Sequence, residues 1–294
     1  MENLEDKKYW IWLSLIKGLG AKRKGMLLDK FKDPSVIYNL KEKDFFNIKG
    51  IGEETIKKIL DEKIKQNIDK HIEFMQKNNI DIISINDEEY PKILKNIYDP
   101  PISLYIRGNH KILNTKCIAI IGCRELSDYG QKASKYFAYN LAKKNLTIVS
   151  GLAKGIDSYA HIGTLCAKGN TIAVVGNGLD TIYPKENLYL AKEILQNNGA
   201  IISEYPLGAI PEKMNFPARN RIISGLSKGV LVVEAKEKSG TLLTVDFAIE
   251  QGRDVFVVPG NINSLNSVGT NDLIKQGAKP VTNYMDIDIW KVTD

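Results

Sequence analysis

The stretches Cys117-Ile-Ala-Ile-Ile-Gly-Cys-Arg124 and Thr147-Ile-Val-Ser-Gly-Leu-Ala-Lys-Gly-Ile-Asp157 decide the fold. Each opens on an apolar run and breaks into glycine beside a charged residue. A run that is apolar at every position, rather than at every second one, reads as a strand covered on both faces. Between the two, residues 130–144 carry apolar side chains at helical spacing. Strand, helix and strand in that order make a parallel pair joined by a crossover. The alternation continues downstream. The predicted strands are 117–121, 147–149, 171–175, 200–202, 230–233 and 255–258. The predicted helices lie near 130–144, 158–167, 187–196, 219–226, 241–251 and 270–275. The fold class is α/β: a Rossmann-like doubly wound, mostly parallel sheet, preceded by a small all-helical domain.

Towards the N-terminus the pattern changes. From Lys7 to about Ile80 apolar residues recur at helical spacing, as in Ile56, Ile59, Leu60 and Ile64. Phe46-Asn-Ile-Lys-Gly-Ile-Gly-Glu-Glu-Thr-Ile-Lys-Lys-Ile-Leu60 reads as helix, Gly-x-Gly turn, helix, and Ile16-Lys-Gly-Leu-Gly20 as a degenerate copy of the turn. Such a turn leaves amides uncovered at a helix N-terminus, where a phosphate can sit. Glu53 and Glu54 would repel one there, so a packing or protein-interaction module is the alternative. Residues 81–115 form a connector with short strands predicted at 82–85 and 104–108, and turns at Tyr90-Pro91 and Asp99-Pro-Pro101. The predicted domains are thus 1–80 (helical), 81–115 (connector and extension packing on the next domain) and 116–294 (Rossmann-like).

The composition bounds the function. A chain of 294 residues, 43% apolar and 26% charged, is that of an ordinary globular protein with a sizeable core. The net charge of +6 is compatible with a polyanionic partner without demanding one. Cys117, Cys123 and Cys166 are odd in number and lack CxxC spacing, which argues against a disulfide framework or a zinc site. Reduced thiols, no signal-peptide pattern and no membrane-length apolar run give a cytoplasmic expectation.

The unusual residues gather after the strands. Gly122-Cys-Arg124, Ser150-Gly-Leu-Ala-Lys-Gly-Ile-Asp157, Gly176-Asn-Gly-Leu-Asp180, Ser203-Glu-Tyr-Pro-Leu-Gly208, the segment 234–240 and Pro259-Gly260 all fall at carboxyl ends. Ligands of an open α/β sheet bind in the crevice outside those ends, and glycines there let backbone amides approach an anion. Neither a GxGxxG dinucleotide loop nor a Gly-Lys-Ser/Thr phosphate loop is present. In Phe216-Pro-Ala-Arg-Asn-Arg-Ile-Ile-Ser224 an aromatic ring precedes two arginines flanking an asparagine. Guanidinium forks grip phosphate, and a phenyl face stacks on an unpaired base. Lys213 and Lys185 would add sequence-independent phosphate contacts. Asp157 either caps the following helix or touches ligand, and a lone His161 there reads as structural.

Together these segments resemble the DNA-processing protein A family (DprA, also called Smf) from about Tyr90 to Lys279. The resemblance is carried by Ile121-Gly-Cys-Arg124, Ser150 to Asp157 with Ala160-His161, Gly178-Leu-Asp180, Tyr183-Pro184, Ser203-Glu204, Phe216 to Ser227, Val233-Glu-Ala235 with Ser239-Gly-Thr241, Val258-Pro-Gly260 and Gly269-Thr-Asn271. It implies non-catalytic binding of single-stranded DNA in a basic pocket of the Rossmann-like domain. It also implies a recombination-mediator role in natural transformation with loading of the RecA recombinase, homodimerisation, and no cofactor. The implied DNA contacts are Gly122, Arg124, Ser150, Gly151, Lys154, Gly155, Lys185, Lys213, Phe216, Arg219, Asn220 and Arg221. The chain departs from the family in having Cys123 before the arginine, where a small Ser or Thr is common. No C-terminal winged helix is seen before Asp294. The competing expectation is an enzyme of the lysine-decarboxylase-like Rossmann type that cleaves nucleoside monophosphates, suggested by Ser239-Gly-Thr241 and Pro259-Gly260. That family's loop glutamate is missing from Glu237-Lys-Ser-Gly-Thr-Leu-Leu-Thr244. A protein-interaction scaffold is the third reading and would leave the aromatic-arginine crevice unused.

Overall fold

The computed structural model describes residues 4–288 apart from Asn47 and Lys49. The N-terminal third is built from α1 (Lys8–Leu15), α2 (Ala21–Phe31), α3 (Pro34–Tyr38), α4 (Glu53–Ile59), α5 (Glu62–Gln66) and α6 (Ile68–Lys77). Asp33 starts α3 by accepting the Ser35 amide at 2.6 Å, with Pro34 at the position that has no amide partner to lose. Trp12 is completely buried and meets the edge of Tyr38, ring centroids 5.1 Å apart. The predicted Gly-x-Gly turn around 48–52 includes Asn47 and Lys49, which lie outside the described residues. The segment before it forms only a short 3-10 turn, Glu42–Phe45, in place of the predicted helix.

The connector holds β1 (Ile80–Ser84), the short α7 (Lys92–Lys95) and β2 (Ser103–Gly108). The second two-thirds alternate as β3 (Cys117–Ile121), α8 (Asp128–Lys143), β4 (Thr147–Ser150), α9 (Ile156–Cys166), β5 (Thr171–Val174), α10 (Leu188–Gln196), β6 (Ala200–Ser203), α11 (Asn215–Gly225), β7 (Gly229–Val232), α12 (Gly240–Glu250), β8 (Asp254–Val257), α13 (Val268–Lys275) and β9 (Lys279–Pro280). Among the described residues the nine strands join one sheet in the order β1-β2-β6-β5-β4-β3-β7-β8-β9. From β6 to β9 the pairing is parallel, and β2 runs antiparallel to both β1 and β6. β3 is the switch strand: Ile118 lies opposite Ile148 of β4 on one side and Gly229 of β7 on the other.

Strand alternation divides the core. Ile118 and Ile120 of β3 face Phe137 and Leu141 of α8. Cys117, Ala119 and Ile121 face Ile222 of α11 and Val245 of α12. A third cluster joins the helices to the sheet's far end, with Trp12, Ile68 and Met75 packed in one set with Tyr105, Ala173 and Ile201. The Ser14 and Tyr105 hydroxyls meet at 2.5 Å across that boundary. The predicted helix 219–226 begins earlier, at Asn215, so Phe216 stands on its first turn and not in a preceding loop. Pro217 is tolerated there because first-turn amides have no helical acceptor.

Candidate functional site

A cavity of about 650 Å³ opens outside the carboxyl ends of β3 and β7, between the loop 122–126, the start of α11 and the start of α12. The chain leaves β3 towards one side of the sheet and returns to the other at β7, and such a switch point leaves a gap between diverging loops. A smaller cavity towards Gly151, Lys154 and Pro184 shares Arg124, Tyr183, Phe216 and Arg219 with the larger one.

Arg124 projects from the loop after β3, and its guanidinium carbon lies 5.7 Å from the centre of the Phe216 ring. Phe216 is half-buried, and its ring also meets Tyr183, centroids 5.6 Å apart at 37°. The expected pair of Arg124 and the Phe216 turn therefore comes together on one rim. Gly122 is required by packing: a Cβ there would lie 2.5 Å from Ile156 and 2.9 Å from the Glu234 carbonyl.

Arg219 lies beneath this rim. It is 4% exposed, and its Nη1 donates to the Gly151 carbonyl at 2.6 Å and to the Val174 carbonyl. Its Nε has no acceptor. Burial lowers its pKa to about 10, which Asp157 opposes and Arg124 reinforces. Asp157 is itself buried and accepts the Gly151 amide at 3.1 Å, and burial raises its pKa against the pull of Arg219. Arg219 thus binds the loop after β4 to the end of β5 and puts a desolvated positive charge under the crevice.

Other expected contacts stand differently. Arg221 turns into the fold and away from the crevice. Its fork grips both oxygens of Glu204, at 2.7 and 2.6 Å, and its Nε reaches Asp99 at 3.0 Å. The side chain expected to contact DNA is therefore not brought to the crevice but stands in a structural ion-pair network, in which Glu204 and Asp99 outweigh the burial penalty and hold the charge. Ser150 is likewise buried, its hydroxyl donating to the Ile120 carbonyl at 2.7 Å, so its side chain fastens β4 to β3. Gly155 is buried with φ +83, and a Cβ would lie 2.3 Å from the Cys123 carbonyl; it shapes the loop. Lys185 is exposed in a 3-10 turn and lines neither cavity. Lys154 lines the smaller one and is paired with Glu186 at 2.5 Å. Lys213 and Asn220 line the larger one.

Tyr183, Lys236 and Lys238 line the crevice without having been expected as contacts. Tyr183, 43% exposed, was legible as an aromatic before proline. Lys236 and Lys238 lie in the 234–240 segment, whose position after β7 was the only signal. Lys236 pairs with Glu125 at 2.7 Å. Glu234 is buried behind this wall. It accepts the Ser127 hydroxyl at 2.5 Å, the Ser127 amide at 3.0 Å and the Cys123 thiol at 3.6 Å, while its carbonyl accepts the Cys123 amide at 2.9 Å. Burial, then the Glu234 charge, push the Cys123 thiol up to about 12, so it stays protonated. His161 is buried against Thr171 at 2.7 Å, and burial lowers its pKa to about 3. Among the described residues no group of three or more His, Cys, Asp or Glu could hold a metal ion, and no helix is long and apolar enough to cross a membrane.

The arrangement presents cations, a stacking ring and loop amides on one sheet edge, and known proteins with the same chain pattern were found by comparison. Residues 81–290 match the family model of DNA recombination-mediator protein A. Protein Smf of Escherichia coli is 46% identical over 214 residues, covering 73% of this chain and 57% of that protein. The crystal structure of DNA processing protein A from Streptococcus pneumoniae superposes with a TM-score of 0.83 at 38% identity, covering 98% of both chains. That of DNA processing protein A from Helicobacter pylori, described for its single-stranded DNA binding mode, gives 0.65 at 35% identity over 72% of this chain and 95% of that one. With the match spanning both edges of the sheet and every loop around the crevice, the chain belongs to the DNA recombination-mediator protein A family.

Proposed function

We propose that this chain binds single-stranded DNA without chemistry, in the crevice between the 122–126 loop and the first turns of α11 and α12. The observation that carries the reading is the Arg124 guanidinium over the Phe216 ring. A cation beside an aromatic face suits a strand whose phosphates and unstacked bases are both exposed. Lys213 and Lys238 add charge at the rim, and buried Arg219 adds it from below. Gly122, Gly151, Lys154 and Asn220 complete the proposed contacts, with Tyr183 beside Phe216. Lys185 is kept as a peripheral phosphate contact. The finer role proposed is that of a homodimeric recombination mediator that delivers the strand to RecA during natural transformation.

The test is fluorescence anisotropy with single-stranded and duplex oligonucleotides of equal length across salt. Tight binding of the single strand with steep salt dependence is expected, since each neutralised phosphate contributes a slope of about −0.7 in log K against log salt. Equal affinity for duplex, or an Arg124→Ala chain that binds as the parent does, would sink the reading. Release of free base from AMP would favour the enzyme instead.

A further inference from the structure

We propose that the exposed face of α8 is a second contact surface for single-stranded DNA, taking the strand as it leaves the crevice. The inference rests on the crevice reading above. Tyr129, Lys132, Tyr136, Tyr139 and Lys143 follow one another at spacings of three, four, three and four residues, so they form one stripe along the helix. The opposite stripe, with Phe137, Ala138 and Leu141, is buried against β3 and its neighbours. The tyrosines are 51%, 39% and 40% exposed, although an aromatic ring on a helix normally gains by burial.

The charge of this face is one-sided. Lys132, Lys135 and Lys143, with Lys144 just beyond the helix, stand against a single acid within it, Asp128. Two of these lysines lie over aromatic rings: Lys135 is 5.2 Å from the Tyr159 centroid and Lys143 is 5.8 Å from that of Tyr139. Alternating cations and π-faces on an exposed surface match the backbone and bases of an unpaired strand. An acidic protein surface would have no use for three tyrosines, and an apolar one no use for the lysines.

The stripe is continuous with the crevice. α8 starts in the turn that follows Arg124, and Glu234 fixes that turn through Ser127 and Cys123. The Tyr129 hydroxyl donates to the Pro259 carbonyl at 2.9 Å, which holds the head of the stripe at the carboxyl edge of the sheet. From Tyr129 to Lys143 the helix runs on for about 21 Å at 1.5 Å per residue.

The test compares a short oligo-dT of about four nucleotides with a longer one of about sixteen, the range of single-strand site sizes. Anisotropy is read for the parent, Tyr136→Ala/Tyr139→Ala, Lys132→Glu/Lys143→Glu and Arg124→Ala, with thermal melting of each. The lysine pair guards against loss of folding, because Tyr136 also touches Tyr284. Both α8 variants should bind the short oligonucleotide as the parent does and the longer one about fivefold or more weakly. Arg124→Ala should weaken both. If both α8 variants bind both lengths as the parent does while Arg124→Ala weakens both, the stripe is a solvated face and only the crevice reading survives. If the variants instead change the oligomeric state with DNA affinity intact, the face is a protein interface and the proposal fails. A parent chain that binds neither length overturns crevice and stripe together.

Discussion

The guanidinium of Arg124 and the ring of Phe216 are 5.7 Å apart, although they come from the loop after β3 and the first turn of α11. The contact spans the gap left by the switch strand. Arg124 occupies one neighbour position of the ring and Tyr183 another.

Phe216→Ala should weaken binding of an unpaired strand about five- to 150-fold, the effect of removing one stacked base of about 1–3 kcal/mol. Arg124→Ala should flatten the salt dependence by about 0.7 in slope. Because the two side chains touch, the double variant should not equal the sum of the singles. Anisotropy across a salt series measures all three, and strict additivity would mean that the contact has no part in binding.

Arg219→Ala should lower stability as well as affinity. It leaves the Gly151 and Val174 carbonyls without their buried donor, a cost of about 1–3 kcal/mol for each unsatisfied group. Arg219→Lys should fail to restore it, since one ammonium cannot reproduce the planar fork. Urea unfolding separates this loss from the binding loss.

Arg221→Ala should behave in the opposite sense for binding. Removing one partner of a buried ion pair costs about 3–5 kcal/mol, here by stranding Glu204. At a temperature where the variant stays folded, its affinity for single-stranded DNA should match the parent's. A selective loss of affinity with unchanged melting would return Arg221 to the crevice.

His161 gives a pH signature. Its folded pKa is lowered from the ordinary 6.5 to about 3 by burial. Between these values the unfolded chain binds the proton and the folded chain does not, so stability falls as pH drops through that window. The slope is about 1.4 kcal/mol per pH unit from this group alone. His161→Asn should unfold with a shallower acid dependence than the parent between pH 6 and pH 4 (about one such slope less), as followed by urea titration.

The fold was legible because its strands are buried on both faces. The run 117–121 is a strand to the residue, β4, β5 and β6 differ from their predicted bounds by one residue at one end, β7 and β8 are shifted by one residue at both ends, and the two-residue parallel strand β9 went unpredicted. The start of α11 was misplaced because Pro217 reads as a helix breaker, yet in a first turn its missing amide removes no bond. Arg221 stands apart from the crevice, as helical geometry alone separates it from Arg219: residues two apart do not share a face. Nothing in the sequence signals that Glu204, on a distant loop, completes its fork. Tyr183, on the loop after β5, and Lys236 and Lys238, on the loop after β7, reach the crevice only through the strand order β5-β4-β3-β7, which local patterns do not reveal.

Glu234 makes one wall of the crevice stiff from behind. The carboxylate receives Ser127 and Cys123 while its own carbonyl receives the Cys123 amide, so the loop after β3 and the loop after β7 are held as one piece. Occupancy at Arg124 is then felt at the head of α8 without any lid having to close. Slower deuterium uptake at the Ser127 amide, which the Glu234 carboxylate accepts, would register a strand bound at Arg124.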